Sequence, residues 1–265
     1  MALQRASNST LHRDHIDGLS FLRLRISVIV CAHNEEKFLS ACLYSLLAQT
    51  RLPDEIIVIN NASVDRTGEV ARKVPGVRVI DESRKGLVIA RERGRREAIG
   101  DLLVYLDADC RAPIFWLQRI ASRFEREPSL AALTGNYRFY DWDLWGRVLI
   151  RAYDFTLGPA THCLVKHILR IGVLFYGGNF AVRRTALERV GGFDTAIEFH
   201  GEDTNIGRRL FAIGRVDLGY DCYLYTSARR YQTMGKGAVF RLYIRNFVSE
   251  ILYHRPTDSA HLDIR

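Results

Sequence analysis

The stretch ISVIVCAHNEEKFLSACLYSLLAQT, residues 26–50, decides the fold. Its first six residues are almost wholly β-branched and apolar, the pattern of a buried strand. After AHNEEK the apolar positions Phe38, Leu39, Cys42, Leu43, Leu46 and Leu47 recur at three and four, one face of a helix. A buried strand feeding an amphipathic helix is the first half of a βαβ unit. The pattern then repeats. LPDEIIVINN (52–61), VRVID (77–81) and DLLVYLDAD (101–109) read as strands, with SVDRTGEVARKV (63–74) and GLVIARERGRREAIG (86–100) as helices between them. Ser63 stands where a cap belongs and Gly100 where a helix ends. This α/β alternation with short connections implies a Rossmann-like, mostly parallel central sheet flanked by helices. Ligands of such sheets lie beyond the carboxyl ends of the strands.

The regularity falls after Pro113. FWLQRIASRFER (115–126) reads as a helix and residues 130–135 as a strand. YRFYDWDLWGRVLIRAYDF (137–155) is aromatic and mixed, and the glycine pairs at 177–178 and 191–192 mark turns. GEDTNIGRRLFAIG (201–214) reads as an amphipathic helix, RVDLGYDCYLYTSARRY (215–231) as strand, and AVFRLYIRNFVSEILYH (238–254) as a last helix. Residues 1–24 are polar and aperiodic, a tail without the apolar core of a secretory signal.

With 265 residues the chain buries a sizeable core, and 48% hydrophobic against 26% charged residues argues against disorder. The net charge of +8 suits an acidic partner: a nucleotide, a nucleic acid or an anionic membrane surface. Five cysteines without a CxxC pair speak against a disulfide framework or a cysteine zinc site, so a reduced, cytoplasmic compartment is expected. No apolar run approaches the ~18 residues of a membrane span.

Polar residues gather where the strands end. Asp107 and Asp109, in YLDADC, project to one side of an extended chain; they can converge on a divalent ion or one can cap the helix near Pro113. Asn60, Asn61 and Asp65 suit a nucleobase edge or a capped turn. In RKGLVIARERGRREAIG most basic residues make a solvated face, with Lys85 or Arg91 placed to reach a diphosphate. His200, Glu202 and Asp203 precede a helix, as macrodipole partners or as a general base. Arg229 and Arg230 follow a strand-like run and could neutralise a leaving group. There is no P-loop and no G-x-G-x-x-G after a strand.

In this order the motifs resemble those of the family 2 inverting glycosyltransferases of GT-A fold. The likeness runs from about Ile26 to Arg230 and takes in ISVIVCAHNEEKF, IIVINNASVDRTGEVA, KGLVIARERG, YLDADC and GNFAVRRTALERVGGFDTAIEFHGEDTNIGRRL. The resemblance implies a donor half over residues 25–110, an elaborated acceptor-binding and catalytic half over 111–232, and a C-terminal helix and tail over 233–265. It implies Mn2+ or Mg2+ on Asp109, with Asp107 on the ribose or donor sugar, and Asn61 at the base of a UDP-sugar or GDP-sugar. Cys31, His33, Glu35, Asp65, Lys85 and Arg91 would line the nucleotide pocket, with Arg230, or Arg229, on the diphosphate. Asp203 would be the catalytic base beside Glu202, and Gly178, Asn179 and Phe180 would belong to the acceptor region.

Trp142 and Trp145 could stack on a sugar, sit at a membrane interface or simply pack. The acceptor is expected to be a glycan or a lipid-linked molecule, with peripheral membrane contact a hypothesis that the positive charge invites. The alternatives are a sugar-phosphate nucleotidyltransferase, which would carry a Gly-rich basic loop where HNEEKF stands, and a non-catalytic nucleotide-binding domain. A nucleic-acid-binding domain is disfavoured because acids at the strand ends repel phosphate.

Overall fold

The computed structural model describes residues 23–170, 172–197 and 201–253. Strand β1 (Ile26–Ala32) is flanked by β2 (Glu55–Asn61) and β4 (Leu102–Asp107), both parallel to it, and β3 (Val77–Glu82) extends the sheet beyond β2. Helices α1 (Leu39–Leu47), α2 (Thr67–Arg72) and α3 (Leu87–Glu97) make the crossovers. The alternation read in residues 26–109 is the one the chain builds. Val28, Ile29 and Val30 are fully buried, because helices cover both faces of a parallel sheet.

Helix α4 (Trp116–Arg126) leads to β5 (Leu130–Phe139). Then come α5 (Leu144–Phe155), α6 (Leu157–Cys163) and a π-helical turn at Leu164–Ile168. They lead to β6 (Asn179–Arg183), α7 (Arg184–Arg189), α8 (Glu202–Phe211) and β7 (Arg215–Thr226). Helices α9 (Arg229–Met234) and α10 (Lys236–Tyr253) follow. The sheet order is β3-β2-β1-β4-β6-β5-β7. Strand β6 runs antiparallel between β4 and β5, while β5 and β7 pair in parallel. Leu43 and Leu46 of α1 pack with Trp116 and Phe124 of α4 on one face of the sheet. Val88 of α3, Leu187 of α7 and Leu210 of α8 fill the other. No helix among the described residues is long and apolar enough to cross a membrane.

Four boundaries differ from the sequence reading. Helix α2 starts at Thr67 rather than Ser63, because Asp65 takes the Thr67 amide at 2.9 Å while Ser63 accepts from the Asn34 amide. Helix α3 ends at Glu97, and the Gly100 amide donates to Ser27 Oγ at 2.7 Å. A Cβ on Gly100 would stand 2.6 Å from the Ser27 nitrogen, so close approach rather than helix termination requires glycine there. Residues 137–155 divide: Tyr137 and Phe139 complete β5, and Asp143 caps α5 by accepting from the Gly146 amide. Strand β7 stops at Thr226 instead of running to Tyr231. Asp141 accepts from Ser227 Oγ and, at 2.6 Å, from the Ala228 amide, which turns the chain into α9.

Candidate active site

Strand β4 ends at Asp107, and the Cys110 amide bonds back to the Asp107 carbonyl at 3.0 Å. The Asp107 side chain is 44% exposed and that of Asp109 only 11%. Neither caps α4, whose N-cap is Phe115 with no side-chain bond. Asp109 Oδ1 accepts from Thr226 Oγ1 at the end of β7, and Oδ2 lies 3.0 Å from the Arg229 guanidinium. The same guanidinium forks onto the buried Glu35 carboxylate, with Nη1 donating to Oε2 at 3.0 Å. Burial opposes the charge on Arg229, but the bonds to Glu35 and the field of Asp109 outweigh it and raise its pKa. Arg229, at the start of α9 (Arg229–Met234), is thus held on both acids, and Arg230 follows it in the helix.

A second pair of acids opens α8, behind the left-handed Gly201. Glu202 Oε1 accepts from Arg91 Nη1 at 3.1 Å, and the same guanidinium lies 3.9 Å from Asp107 Oδ1. Arg91, buried on α3, is therefore the link between the two acidic pairs. Asp203 Oδ1 accepts from the Thr204 amide at 2.7 Å. Burial raises the pKa of both acids, and the neighbouring Asp203 charge adds to the effect on Glu202. The turn at Gly177 and Gly178 threads between the pairs. A Cβ on Gly177 would come within 2.9 Å of the Asp203 Cβ, and one on Gly178 would overlap the Asp107 carboxylate and stand 2.5 Å from the Tyr137 hydroxyl. Only bare backbone fits between these side chains.

The residues expected at the nucleotide also hold the loops around them. His33 is buried, with Nδ1 on the Asn61 carbonyl at 2.7 Å. The Asn61 amide donates to the carbonyls of Glu82 and Arg84, and its oxygen accepts from the Gly86 amide at 2.8 Å. Asn61 thus fastens the loop between β3 and α3; a nucleobase would meet that loop as well as the side chain. Asp65 receives the Thr67 and Glu36 amides, so it holds α2 to the loop after β1. Cys31 pairs in register with Asp107, and burial pushes its thiol up to about 12, Arg91 notwithstanding. Lys85 is exposed on the loop before α3.

The acceptor set divides. Gly178 lies at Asp107, whose amide donates to the Gly178 carbonyl at 3.3 Å. Asn179 and Phe180 are 1% exposed and unavailable to an acceptor. Asn179 donates to the carbonyls of Asn136 and Cys222 and accepts from Trp116 Nε1, and Phe180 stacks on Tyr105 at 4.7 Å. Trp142 is also turned inward, stacked on Tyr231 at 4.9 Å, whereas Trp145 is 79% exposed on α5. His200 lies outside the described residues. Tyr137, one of the aromatic residues that could stack on a sugar, reaches Gly178, and the sequence reading missed Thr226, which reaches Asp109 from a strand end that carries no local signal.

A family model, glycosyl transferase family 2, matches residues 27–191. The chain belongs to glycosyl transferase family 2. Another protein of this kind, the uncharacterized glycosyltransferase EpsJ of Bacillus subtilis, is 26% identical over 243 residues, 89% of this chain and 66% of EpsJ. The chain spans two thirds or less of the length of the curated relatives it matches. The fold is the GT-A fold. The mannosyltransferase PcManGT of Pyrobaculum calidifontis, solved with GDP-Man and Mn2+, aligns with TM-score 0.66 at 22% identity, over 86% of this chain and 63% of that one. Glucosyl-3-phosphoglycerate synthase of Mycobacterium tuberculosis, solved with Mn2+, UDP and phosphoglyceric acid, aligns with TM-score 0.60 at 20% identity, over 94% of this chain and 88% of that one.

In this family 2 chain the donor set suits a hard divalent ion. Asp107 and Asp109 offer carboxylate oxygens, which Mg2+ and Mn2+ prefer. Among the described residues no group of three or more His, Cys, Asp or Glu could hold an ion. Two carboxylates that leave most of the shell to phosphate and water fit an ion shared with a substrate.

Proposed function

We propose that the chain moves a sugar from a nucleoside diphosphate donor to an acceptor hydroxyl, with inversion and with Mn2+ or Mg2+ held by Asp109 and Asp107. The carrying observation is the continuous run from Asp109 and Asp107 through Arg91 to Glu202 and Asp203, gathered around Gly177 and Gly178. It supports a donor half over residues 25–110 and an acceptor and base half over 111–232. A UDP-sugar is the favoured donor and a GDP-sugar the second. The reading places the enzyme in the cytoplasm, where its cysteines stay reduced.

Asp203 is the base in this scheme. Glu202 is pinned on Arg91, while the Asp203 bonds run to Thr204 of its own helix. The Asp203 carboxylate takes the proton of the acceptor hydroxyl. The oxygen bonds to the anomeric carbon as the bond to the diphosphate oxygen breaks on the opposite face, and the diphosphate leaves with the electron pair. An ion held by Asp109 and Asp107 would supply neutralisation of the charge on that leaving group. Arg229, already on the Asp109 carboxylate, is placed to meet the same phosphates.

A panel of nucleoside diphosphates with Mn2+, read by thermal shift and followed by donor hydrolysis, tests the reading. Asp109→Ala is expected to abolish the metal-dependent shift. Asp203→Asn is expected to keep it and lose about 10²–10⁴-fold in transfer. An Asp203→Asn enzyme of full activity would falsify the assignment of the base.

A further inference from the structure

Helix α5 is amphipathic the wrong way round for a buried element. Leu144, Val148 and Phe155 fall on one stripe of its surface, with Trp145 and Leu149 on the adjoining one, by the 3.6-residue period. All five are exposed, at 65%, 49%, 78%, 79% and 66%. The inner stripe is the polar or mixed one: Gly146 is the buried residue of the helix, and Asp154 accepts from the buried Asn136 amide at 2.6 Å. On α6 and the turn after it Leu157, Ile168 and Leu169 are exposed as well, at 64%, 68% and 51%. Scattered apolar residues on a surface need no account, but a contiguous set of this size marks an interaction face.

The charges around that face choose the occupant. Residues 144–170 contain Arg147, Arg151, Lys166 and Arg170 against the single acid Asp154, and of these Lys166 pairs inward with Asp217, which leaves the three arginines. Asp154 is turned inward, and burial raises its pKa. Arg147 and Arg151 are exposed and border the apolar stripe, forming with Leu144, Val148, Ala152 and Phe155 one shallow groove. Exposed Trp, Phe and Leu beside arginines is the composition of a surface that lies in the headgroup region of a bilayer. A second copy docked through the same face would bring two arginine flanks together, a like-charge arrangement that costs association.

We propose that the α5–α6 face and the π-helical turn after it form a docking surface for an anionic phospholipid bilayer. Trp145, Leu149 and Phe155 enter the interface while Arg147 and Arg151 meet lipid phosphates. The inference is independent of the sugar-transfer reading, since its readout is binding to lipid alone.

The test is co-sedimentation of the full chain with phosphatidylcholine vesicles and with vesicles containing phosphatidylglycerol. Trp116 and Trp142 are buried, so a blue shift on vesicle addition reports Trp145. The expected result is sedimentation with the anionic vesicles, the blue shift, and weakening by salt. Leu149→Ser with Phe155→Ser is expected to weaken binding about tenfold or more. Arg147→Gln with Arg151→Gln is expected to remove the preference for anionic lipid, with melting curves like the parent's. No binding to anionic vesicles overturns the proposal. Binding that both double variants leave unchanged also overturns it, as does dimerisation through this face in the absence of vesicle binding.

Discussion

The Arg91 guanidinium is the residue on which the site turns. It is buried and bonded to Glu202, with Asp107 3.9 Å away. Arg91→Met keeps much of the volume but leaves buried carboxylates without their counter-charge. The expected loss is about 3–5 kcal/mol, read by urea unfolding. The acids it holds also set a pH dependence. Burial and the Asp203 charge push Glu202 up to about 7 from 4.5. Its folded pKa lies above the unfolded one, so between those values the folded state holds a proton that the unfolded state releases. This group's contribution to stability therefore falls as pH rises through the window. Glu202→Gln, neutral throughout, is expected to gain on the parent in melting temperature over that rise. The proposed base, Asp203, is raised too by burial, so on acidification transfer should fail at a higher pH than an unperturbed aspartate would set. At this scale the sequence exposed the acids and Arg91, since strand ends in a parallel sheet converge. It did not tell Arg229 from Arg230. The placing of Arg229 on the acids depends on where α9 begins, which Asp141 fixes from 87 positions away.

Elements were most legible where local pattern and tertiary demand agree. β1 to β4 alternate with their helices because each strand is buried on both faces and each helix has one apolar stripe. Asn179 shows where that logic ends. It reads as part of a motif, and it serves as a joint: its amide ties β6 to the carbonyls of Asn136 on β5 and Cys222 on β7. Asn179→Ala leaves those carbonyls and the Trp116 indole unsatisfied. Each orphaned group costs about 1–3 kcal/mol, so the variant should lose at least about 2 kcal/mol in denaturant unfolding. Residues 144–155 resisted reading for the opposite reason. Their helical period is present, but it faces outward, and a period names a face without saying which side of it is solvent.

The described residues build one seven-stranded sheet whose second portion is threaded out of sequence order. β6 enters between β4 and β5, so no run of local signals predicts its neighbours. The carboxyl-terminal portion reaches back to the first loop: Glu35 is 3% exposed at its side chain, and its cation is Arg229. A chain ended at residue 228 is expected to be cut by protease far faster than the full chain, even where β1 to β4 have formed. The same bond has a meaning during synthesis. Glu35 leaves the ribosome 194 residues before the guanidinium that neutralises it. Through that interval the nascent chain carries an acid bound for its interior without the Arg229 guanidinium it meets in the folded state. Emergence of Arg229, rather than assembly of the first strands, is then the event that closes this part of the molecule.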